Sequence, residues 1–326
     1  MSEQTIDSEA LVRTLVEKNN GPELQRLAAA GDKVLAKAAR RGLHLLKSRG
    51  ATLPSEKKVY RPPEEVIADD DPVSLVSMID GRGERIVWLA DPVPNGYEVH
   101  QAELSESNGI FKFASGQAAR KSWRERIRES LAEPGISIAP VPGRHVRHLL
   151  ERAYQQNLAK GRSVPDGFAE ARLGLGVSDR IDDAAHPALK SAAPLSVKEA
   201  RGRLSSLHDL IEVTTWIPPR DALETLDRTI GEISTSKLVI DPAQRMSQLQ
   251  EKISSMADAL PAEWRAQMAE RLRETAYLLT QRGKHLEEAR LCMTAAALLD
   301  DPAEKPSENP FVVRLFEKLV ERQRLD

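Results

Sequence analysis

Three glycine-containing turns within one short stretch most strongly limit what this chain can fold into. The segments DGRGE, DPVPNG and SESNG separate short β-branched or aromatic runs at 73–79, 85–89, 97–104 and 110–113. Glycine readily adopts the positive φ of tight hairpin turns, so each segment predicts a reversal of chain direction. Four such runs predict an antiparallel β-meander that needs an apolar cover on one face. Helical patterns at about 115–133 and 143–160 are the expected cover.

The residues that follow have helical periodicity almost to the end of the chain. Five helical stretches begin near residues 220, 242, 262, 285 and 309, and Pro or Gly punctuates most of the joins between them. Residues 197–326 therefore predict an all-α bundle. Residues 276–302, AYLLTQRGKHLEEARLCMTAAALLDDP, resemble one tetratricopeptide-type helical hairpin. No second copy follows at a fixed period, so the sequence does not support a repeat array.

The first fifty residues carry the start and stop signals of three short helices. Ser8 and Asp32 are candidate N-caps, Pro22 can open the second helix, and Gly31 and Gly50 can close the second and third. This pattern resembles a fragment of a HEAT-type helical repeat, a likeness of shape that implies no activity. The predicted fold is α+β and mostly α. We predict five segments: a helical segment 1–50, a linker 51–71, an α+β meander domain 72–176, a linker 177–196 and a helical domain 197–326.

Composition excludes several classes of protein. The chain has 326 residues, of which 40% are hydrophobic and 29% charged, as in an ordinary globular protein. The single cysteine, Cys292, excludes an internal disulfide and a cysteine-only zinc site. The N-terminal residues lack the basic and apolar regions of a secretory signal, and no apolar run reaches membrane-spanning length. We therefore expect a cytoplasmic protein that does not associate with membranes.

The stretch KAARRGLHLLKSRG at 37–50 contains five Lys or Arg residues, one His and no acid. At 100° per residue, the basic side chains of the third predicted helix fall within an arc of about 120°, opposite an Ala, Leu and Gly seam. They are Lys33, Lys37, Arg40, Arg41, His44 and Lys47. Solvated helices usually place acids at i±4 to such cations, and this one does not. The acidic run Glu64, Glu65 and Asp69–Asp71 is a possible internal partner for the stripe.

A second basic set follows the predicted meander. On a helix capped by Ser115, one arc of about 100° carries four cations beside Trp123 and Ile127. They are Arg120, Lys121, Arg124 and Arg128. Both basic sets are candidate sites for binding a protein partner or phosphate groups.

No pattern in the sequence predicts catalysis or a cofactor. The chain lacks GxxxxGK[ST], GxSxG and HExxH, and no GxGxxG follows a predicted strand. His145, His148 and Glu151 share one helical arc, but Arg144, Arg147 and Arg152 flank them, so we expect a solvated face and no metal. Asp182, Asp183 and His186 fall in the predicted linker, which lacks the rigidity a catalytic site needs. Cys292 lies in an apolar helical run, which indicates a buried structural thiol.

Three functions remain open from the sequence. The favoured one is a non-catalytic adaptor whose basic helical faces dock an acidic protein partner. The alternative is an RNA- or DNA-associated factor that contacts phosphates through the same faces, although aromatic residues that could stack on bases are scarce nearby. The third is an enzyme whose site is assembled from residues distant in sequence. Partner identity and oligomeric state are not fixed by the sequence.

Overall fold

The computed structural model describes residues 3–28, 33–48, 73–176, 186–235 and 241–325. The chain forms two compact units, an N-terminal unit over Met1–Val66 and a C-terminal unit over Ile67–Asp326. The predicted acidic run at 64–71 and the predicted residues Asp182 and Asp183 lie outside the described residues. Among the described residues, no helix is both long and apolar enough to cross a membrane.

The N-terminal unit contains the three predicted helices. They are α1 (Glu3–Glu17), α2 (Gly21–Ala28) and α3 (Lys33–Ser48), so α1 begins before the cap predicted at Ser8. A small core joins all three and includes Val12, Leu24 and Ala39. A Cβ at Gly42 would lie 2.9 Å from Cγ1 of Val12, so glycine allows α3 to pack closely on α1. The likeness to a HEAT-type segment stays a prediction.

The C-terminal unit contains a five-stranded antiparallel sheet in the order β4-β3-β2-β1-β5. Its strands are β1 (Ser74–Ser77), β2 (Glu84–Val93), β3 (Gly96–Ser105), β4 (Gly109–Ala119) and β5 (Ile138–Val141). The first four strands form the predicted meander. Gly83 and Gly109 take φ of 77° and 72° at two of its turns, which explains the glycines there.

The end of the meander differs from the prediction in two ways. The stretch SGQAA has weak strand propensity, yet β4 continues to Ala119 because these residues pair with 96–100 of β3. Ser115 is therefore not a helix cap, and its hydroxyl hydrogen-bonds Nδ1 of His100 at 2.8 Å. The unpredicted β5 is short, contains Pro140 and pairs with β1 at the other edge of the sheet, where proline is tolerated.

Helices cover both faces of the sheet. These are α4 (Arg120–Ala132) and α5 (Gly143–Ala159). Trp123 of α4 packs with Trp88 and Leu75 on one face, whereas Leu149 of α5 packs with Leu89 on the other. Because Trp88 and Leu89 are consecutive in β2, their side chains point to opposite faces of the sheet and pack in two different apolar layers.

Short helices connect the sheet to the C-terminal bundle. They are α6 (Phe168–Ala171), α7 (Ala188–Ser191), α8 (Val197–Ala200), a 3₁₀ helix (Arg201–Asp209) and α9 (Ile211–Thr214). The part of the predicted linker that is described, 186–196, therefore includes a helical turn.

The five predicted helices of the bundle are all present. They are α10 (Arg220–Thr235), α11 (Pro242–Asp258), α12 (Ala262–Gln281), α13 (Leu286–Asp300) and α14 (Pro310–Leu325), with a 3₁₀ helix (Pro306–Glu308) before the last. A four-residue connection joins α12 to α13, which pack against each other as a hairpin. Its likeness to a tetratricopeptide repeat is not confirmed.

One apolar core runs through the C-terminal unit. Val87 of the sheet, Leu272 of α12 and Phe316 of α14 belong to the same buried cluster. Trp216 is also buried in it, and its indole N–H donates to the carbonyl oxygen of Ile79 at 2.9 Å. Residues of both predicted domains, 72–176 and 197–326, contribute to this core.

Candidate functional site

The basic face of α3 lies on the surface of the N-terminal unit. Lys37, Arg40, Arg41 and His44 are exposed, whereas the opposite side of the helix is buried against α1 and α2. The side chains of Lys33 and Lys47 lie outside the described residues. The helix therefore has the amphipathic division that its sequence pattern predicts.

The described residues offer little compensation for these cations. Lys37, Arg41 and His44 form no ion pair within the described part of the N-terminal unit, in which Arg26 pairs with Glu23. Arg40 donates a hydrogen bond from Nη2 to the backbone oxygen of Ala28 at 3.3 Å and binds no carboxylate among the residues that the structure describes in this unit. The α3 face is consequently an exposed cationic surface.

The second predicted basic set lies on α4 in the C-terminal unit. Arg120, Lys121, Arg124 and Arg128 are exposed. Trp123 is buried beneath them and donates from Nε1 to the oxygen of Val73 at 2.7 Å. Exposed Glu125 and Glu129 share the outer side of the helix, and Lys121 Nζ lies 3.9 Å from Glu125. The α4 face is therefore less one-sided in charge than that of α3.

The predicted solvated face around HVRHLLE is wrong. His145 and Glu151 are buried, and His148 is half-buried. The pKa of His148 is lowered mainly by burial and next by the positive charge of Arg152. The flanking arginines are engaged inside the unit, since Arg147 binds Asp91 and Arg152 binds Glu270. Acids from β2 and α12 thus neutralise charges that look solvent-facing in the sequence.

Among the described residues of the C-terminal unit, Glu274 of α12 is the most buried ionic group, at 4% exposed. Its Oε2 accepts from Nη1 of Arg85 at 2.5 Å and contacts Nε2 of His145 at 3.3 Å. Its Oε1 contacts Nε2 of His186 at 2.8 Å. Four segments therefore meet at one carboxylate: β2, α5, the start of the 186–196 segment, and α12. We call these four residues the Glu274 network.

Charge and hydrogen bonding keep Glu274 ionised. Burial alone would raise its pKa, but His145, Arg85 and the hydrogen bonds from both histidines lower the pKa well below its usual range. Arg85 is 7% exposed and also donates from Nη2 to the oxygen of Ser77 at 3.0 Å. Arg85 and Glu274 thus depend on each other, because either charge alone would be costly inside the protein.

A cavity of about 90 Å³ lies beside the Glu274 network, between the sheet, α5 and α12. Its charged lining consists of three arginine–glutamate pairs: Arg85–Glu274, Arg152–Glu270 and Arg271–Glu106. In the last pair, the Arg271 guanidinium donates to both Glu106 oxygens, yet burial raises the pKa of Glu106 more than Arg271 lowers it. The pairs cancel, so the cavity presents no net charge to a ligand.

Three side chains at this cavity have donor atoms within metal-binding distance of one another. The ligand atoms of His186, Glu270 and Glu274 lie within 4.8 Å. However, Nδ1 of His186 accepts from the backbone N–H of Ala188 at 3.1 Å, which places the proton of a neutral ring on Nε2. That nitrogen then donates to Glu274, while arginines occupy both carboxylates. The arrangement suits an ion-pair network better than a metal centre.

Cys292 is fully buried, as predicted, and burial raises the pKa of its thiol. The residues of the Glu274 network, by contrast, were not predicted as a group, because nothing in the sequence connects positions 85, 145, 186 and 274.

No family model matches the chain, and no curated protein or solved structure matches it either. Evidence for its function therefore comes from its own surfaces and contacts.

Proposed function

We propose that this chain is a non-catalytic cytoplasmic adaptor that docks an acidic protein partner through the exposed cations of α3. The observation that carries the proposal is the exposed charge of Lys37, Arg40 and Arg41, which no carboxylate among the described residues of their unit compensates. These cations lie beside exposed His44 on a helix whose other face is packed. The α4 face, with Arg120, Lys121, Arg124 and Arg128, is a second contact surface in this proposal.

The physical argument concerns repulsion along α3. Arg40 and Arg41 lie three and four residues after Lys37, so like charges are neighbours on the helix surface. Each such pair costs a few tenths of a kcal/mol. Carboxylates from a partner would remove this repulsion, accelerate association and select acidic partners over basic ones.

A protein partner has better support than a nucleic acid. The described residues of the N-terminal unit contain no Phe, Tyr or Trp on which bases could stack. Contacts to phosphates alone remain chemically possible for the same cations, so nucleic-acid binding is the competing outcome of the experiment.

The first experiment compares poly-L-glutamate with a mixed-sequence RNA and a duplex DNA as fluorescent ligands of the full chain. We expect poly-L-glutamate to bind and to weaken as salt rises, because the contacts are between exposed charges. The triple variant Lys37→Glu, Arg40→Glu, Arg41→Glu should lose at least tenfold in affinity.

The matched control is Arg228→Glu, Arg245→Glu, Lys252→Glu, which changes the net charge equally at exposed positions of α10 and α11. It should stay within about twofold of the wild type, because screening limits long-range effects at physiological salt. Equal losses in both triple variants would show that only net charge matters and would refute a docking face on α3. Preference for RNA or DNA over poly-L-glutamate would replace the proposal with the nucleic-acid alternative.

A natural partner is then identified by capture from a cell extract with the wild type and the two triple variants. The protein retained by the wild type and by the control, and lost by the α3 variant, should be acidic and should bind the purified chain directly. Circular dichroism checks that all three proteins are folded.

A further inference from the structure

One long strand of the sheet has an exposed outer edge. β4 is the end strand of the sheet, and residues 114–117 along it are exposed. The stretch FASGQAA, 113–119, contains no charged residue and no proline. Proteins usually protect edge strands with such residues, because a free edge can pair with another strand. An unprotected edge of this length is therefore a candidate binding surface.

The register shows which backbone groups face outward. Pro94 and Asn95 form a two-residue turn closed by the pair Val93 and Gly96. In a hairpin of this kind the closing pair is hydrogen-bonded, and the bonding direction then alternates along the strand. The β3 residues that face β4 are thus 97, 99 and 101, which pair with 118, 116 and 114. The N–H and C=O groups of 113, 115 and 117 consequently point away from the sheet.

Within the described part of the chain, a side chain covers the beginning of this edge. The Asn157 amide accepts from the N–H of Ile110 at 2.7 Å and donates to the Ile110 carbonyl at 3.2 Å, which satisfies the outward groups there. Among the described residues, no turn, loop or side-chain hydrogen bond reaches the backbone groups of Ser115 or Gln117. Protection of the edge thus stops before the 113–117 segment.

The charges at the two ends of this segment indicate what can pair with it. Exposed Lys112 precedes the segment, although it also contacts Glu103 at 2.9 Å, and exposed Arg120 and Lys121 follow it. An antiparallel pairing with a second copy centred on Gly116 would place Lys112 opposite Arg120, a repulsive arrangement. A strand that carries carboxylates would meet favourable charges at both ends.

We propose that the outer edge of β4, from 113 to 117, binds an extended acidic segment of a partner protein as an added strand. This inference rests on the proposed acidic partner and specifies how the α4 side of the chain would hold it. Backbone hydrogen bonds at 113, 115 and 117 supply the pairing, and Arg120 and Lys121 select carboxylates.

The test uses a fluorescein-labelled peptide, (Glu-Val)₄, whose anisotropy reports binding to the full chain. Gln117→Pro removes one outward N–H without touching a bond to β3, whereas Gln117→Thr keeps that N–H and serves as the matched control. We expect Gln117→Pro to weaken binding about tenfold and Gln117→Thr to leave it within twofold. Arg120→Glu with Lys121→Glu should weaken it at least tenfold, and (Lys-Val)₄ should not bind the wild type.

A second peptide guards against misfolding of the proline variant. (Glu-Val)₄ with an N-methyl group on every residue cannot donate along either edge, so its affinity for the wild type should fall at least tenfold. Absence of (Glu-Val)₄ binding, or equal binding of the methylated peptide, would overturn strand addition. Concentration-dependent dimers that Gln117→Pro abolishes would instead show self-pairing and would also overturn it.

The variant Lys37→Glu, Arg40→Glu, Arg41→Glu separates the two proposals. If (Glu-Val)₄ binding is unchanged in this variant and is lost in Gln117→Pro, strand addition at β4 is supported independently of the role of α3. The opposite result is loss of poly-L-glutamate binding in the α3 variant, with (Glu-Val)₄ binding unchanged in Gln117→Pro. It would support the α3 face as a docking surface and refute the role of β4.

Discussion

Replacement of Glu274 by glutamine should destabilise the C-terminal unit more than any exposed charge substitution. Gln has nearly the same shape as Glu, so the change isolates charge and hydrogen bonding from packing. It leaves the guanidinium of Arg85, which is 7% exposed, without its counter-charge. The new amide also brings N–H donors to a site where Arg85, His145 and His186 already supply donors. At least one of these bonds must therefore be lost.

The magnitude follows from the burial of both partners. Removal of one member of a buried ion pair costs about 3–5 kcal/mol, because the remaining charge is left uncompensated. For a unit of this size, each kcal/mol shifts Tm by about 2–4 °C, so we expect Tm to fall by roughly 10 °C. The same substitution at Glu224, which pairs with Arg220 on the surface of α10, should cost less than about 1 kcal/mol.

Urea unfolding followed by tryptophan fluorescence measures this difference, because Trp216 is fully buried in the same core. The double variant Arg85→Met, Glu274→Leu removes both charges and should recover part of the stability lost in Glu274→Gln. A cost below about 1 kcal/mol for Glu274→Gln, equal to that at Glu224, would refute the claim that this pair is buried and interdependent.

The same pair sets an acid limit on stability. The pKa of Glu274 is lower in the folded chain than in the unfolded chain, so its contribution is fully present above about pH 4.3 and is lost as pH falls below it. The difference in stability between the wild type and Glu274→Gln should therefore narrow on acidification. A difference that stays constant down to pH 2 would contradict ionisation of this carboxylate.

Three further predictions concern other positions. Burial lowers the pKa of Lys318, which contacts His208 Nδ1, to about 8, so the wild type should gain stability between about pH 8 and 10 relative to Lys318→Met, as urea titrations can measure. Gly42→Ala should destabilise the N-terminal unit by about 1 kcal/mol through overpacking, whereas Gly231→Ala, which has open space, should raise helix stability in hydrogen exchange. Cys292 should react with a thiol reagent only after denaturant is added, since it is fully buried.

Local signals account for most of what could be predicted. The turns before β2, β3 and β4 are fixed by nearby Gly, Asn and Pro residues, and the helices of the bundle by their own periodicity and punctuation. The extension of β4 through SGQAA depends instead on its partner β3. The four-residue β5 likewise exists because it pairs with β1. Tertiary pairing overrides weak local propensity in both strands.

The arginines around α5 show why the buried network escaped prediction. In the sequence, Arg144, Arg147 and Arg152 surround His145 and Glu151, which favours a solvated helix face. In the folded unit, Asp91 of β2 and Glu270 of α12 bind Arg147 and Arg152, so the side of α5 that carries His145 can be buried. These partners are 56 and 118 residues away from the arginines they bind. No spacing rule connects groups at such separations.

This difference in pairing also separates the two kinds of positive charge in the chain. Arg147, Arg152, Arg271 and Arg273 of the C-terminal unit bind acids within that unit, so their charge is used in folding. Lys37 and Arg41 of α3 form no such pair among the described residues of their own unit, and their helix gains nothing from repulsion between them. Charge that does not stabilise the fold is available for recognition. The α3 face is therefore a stronger candidate for a docking surface than the larger number of arginines around α5.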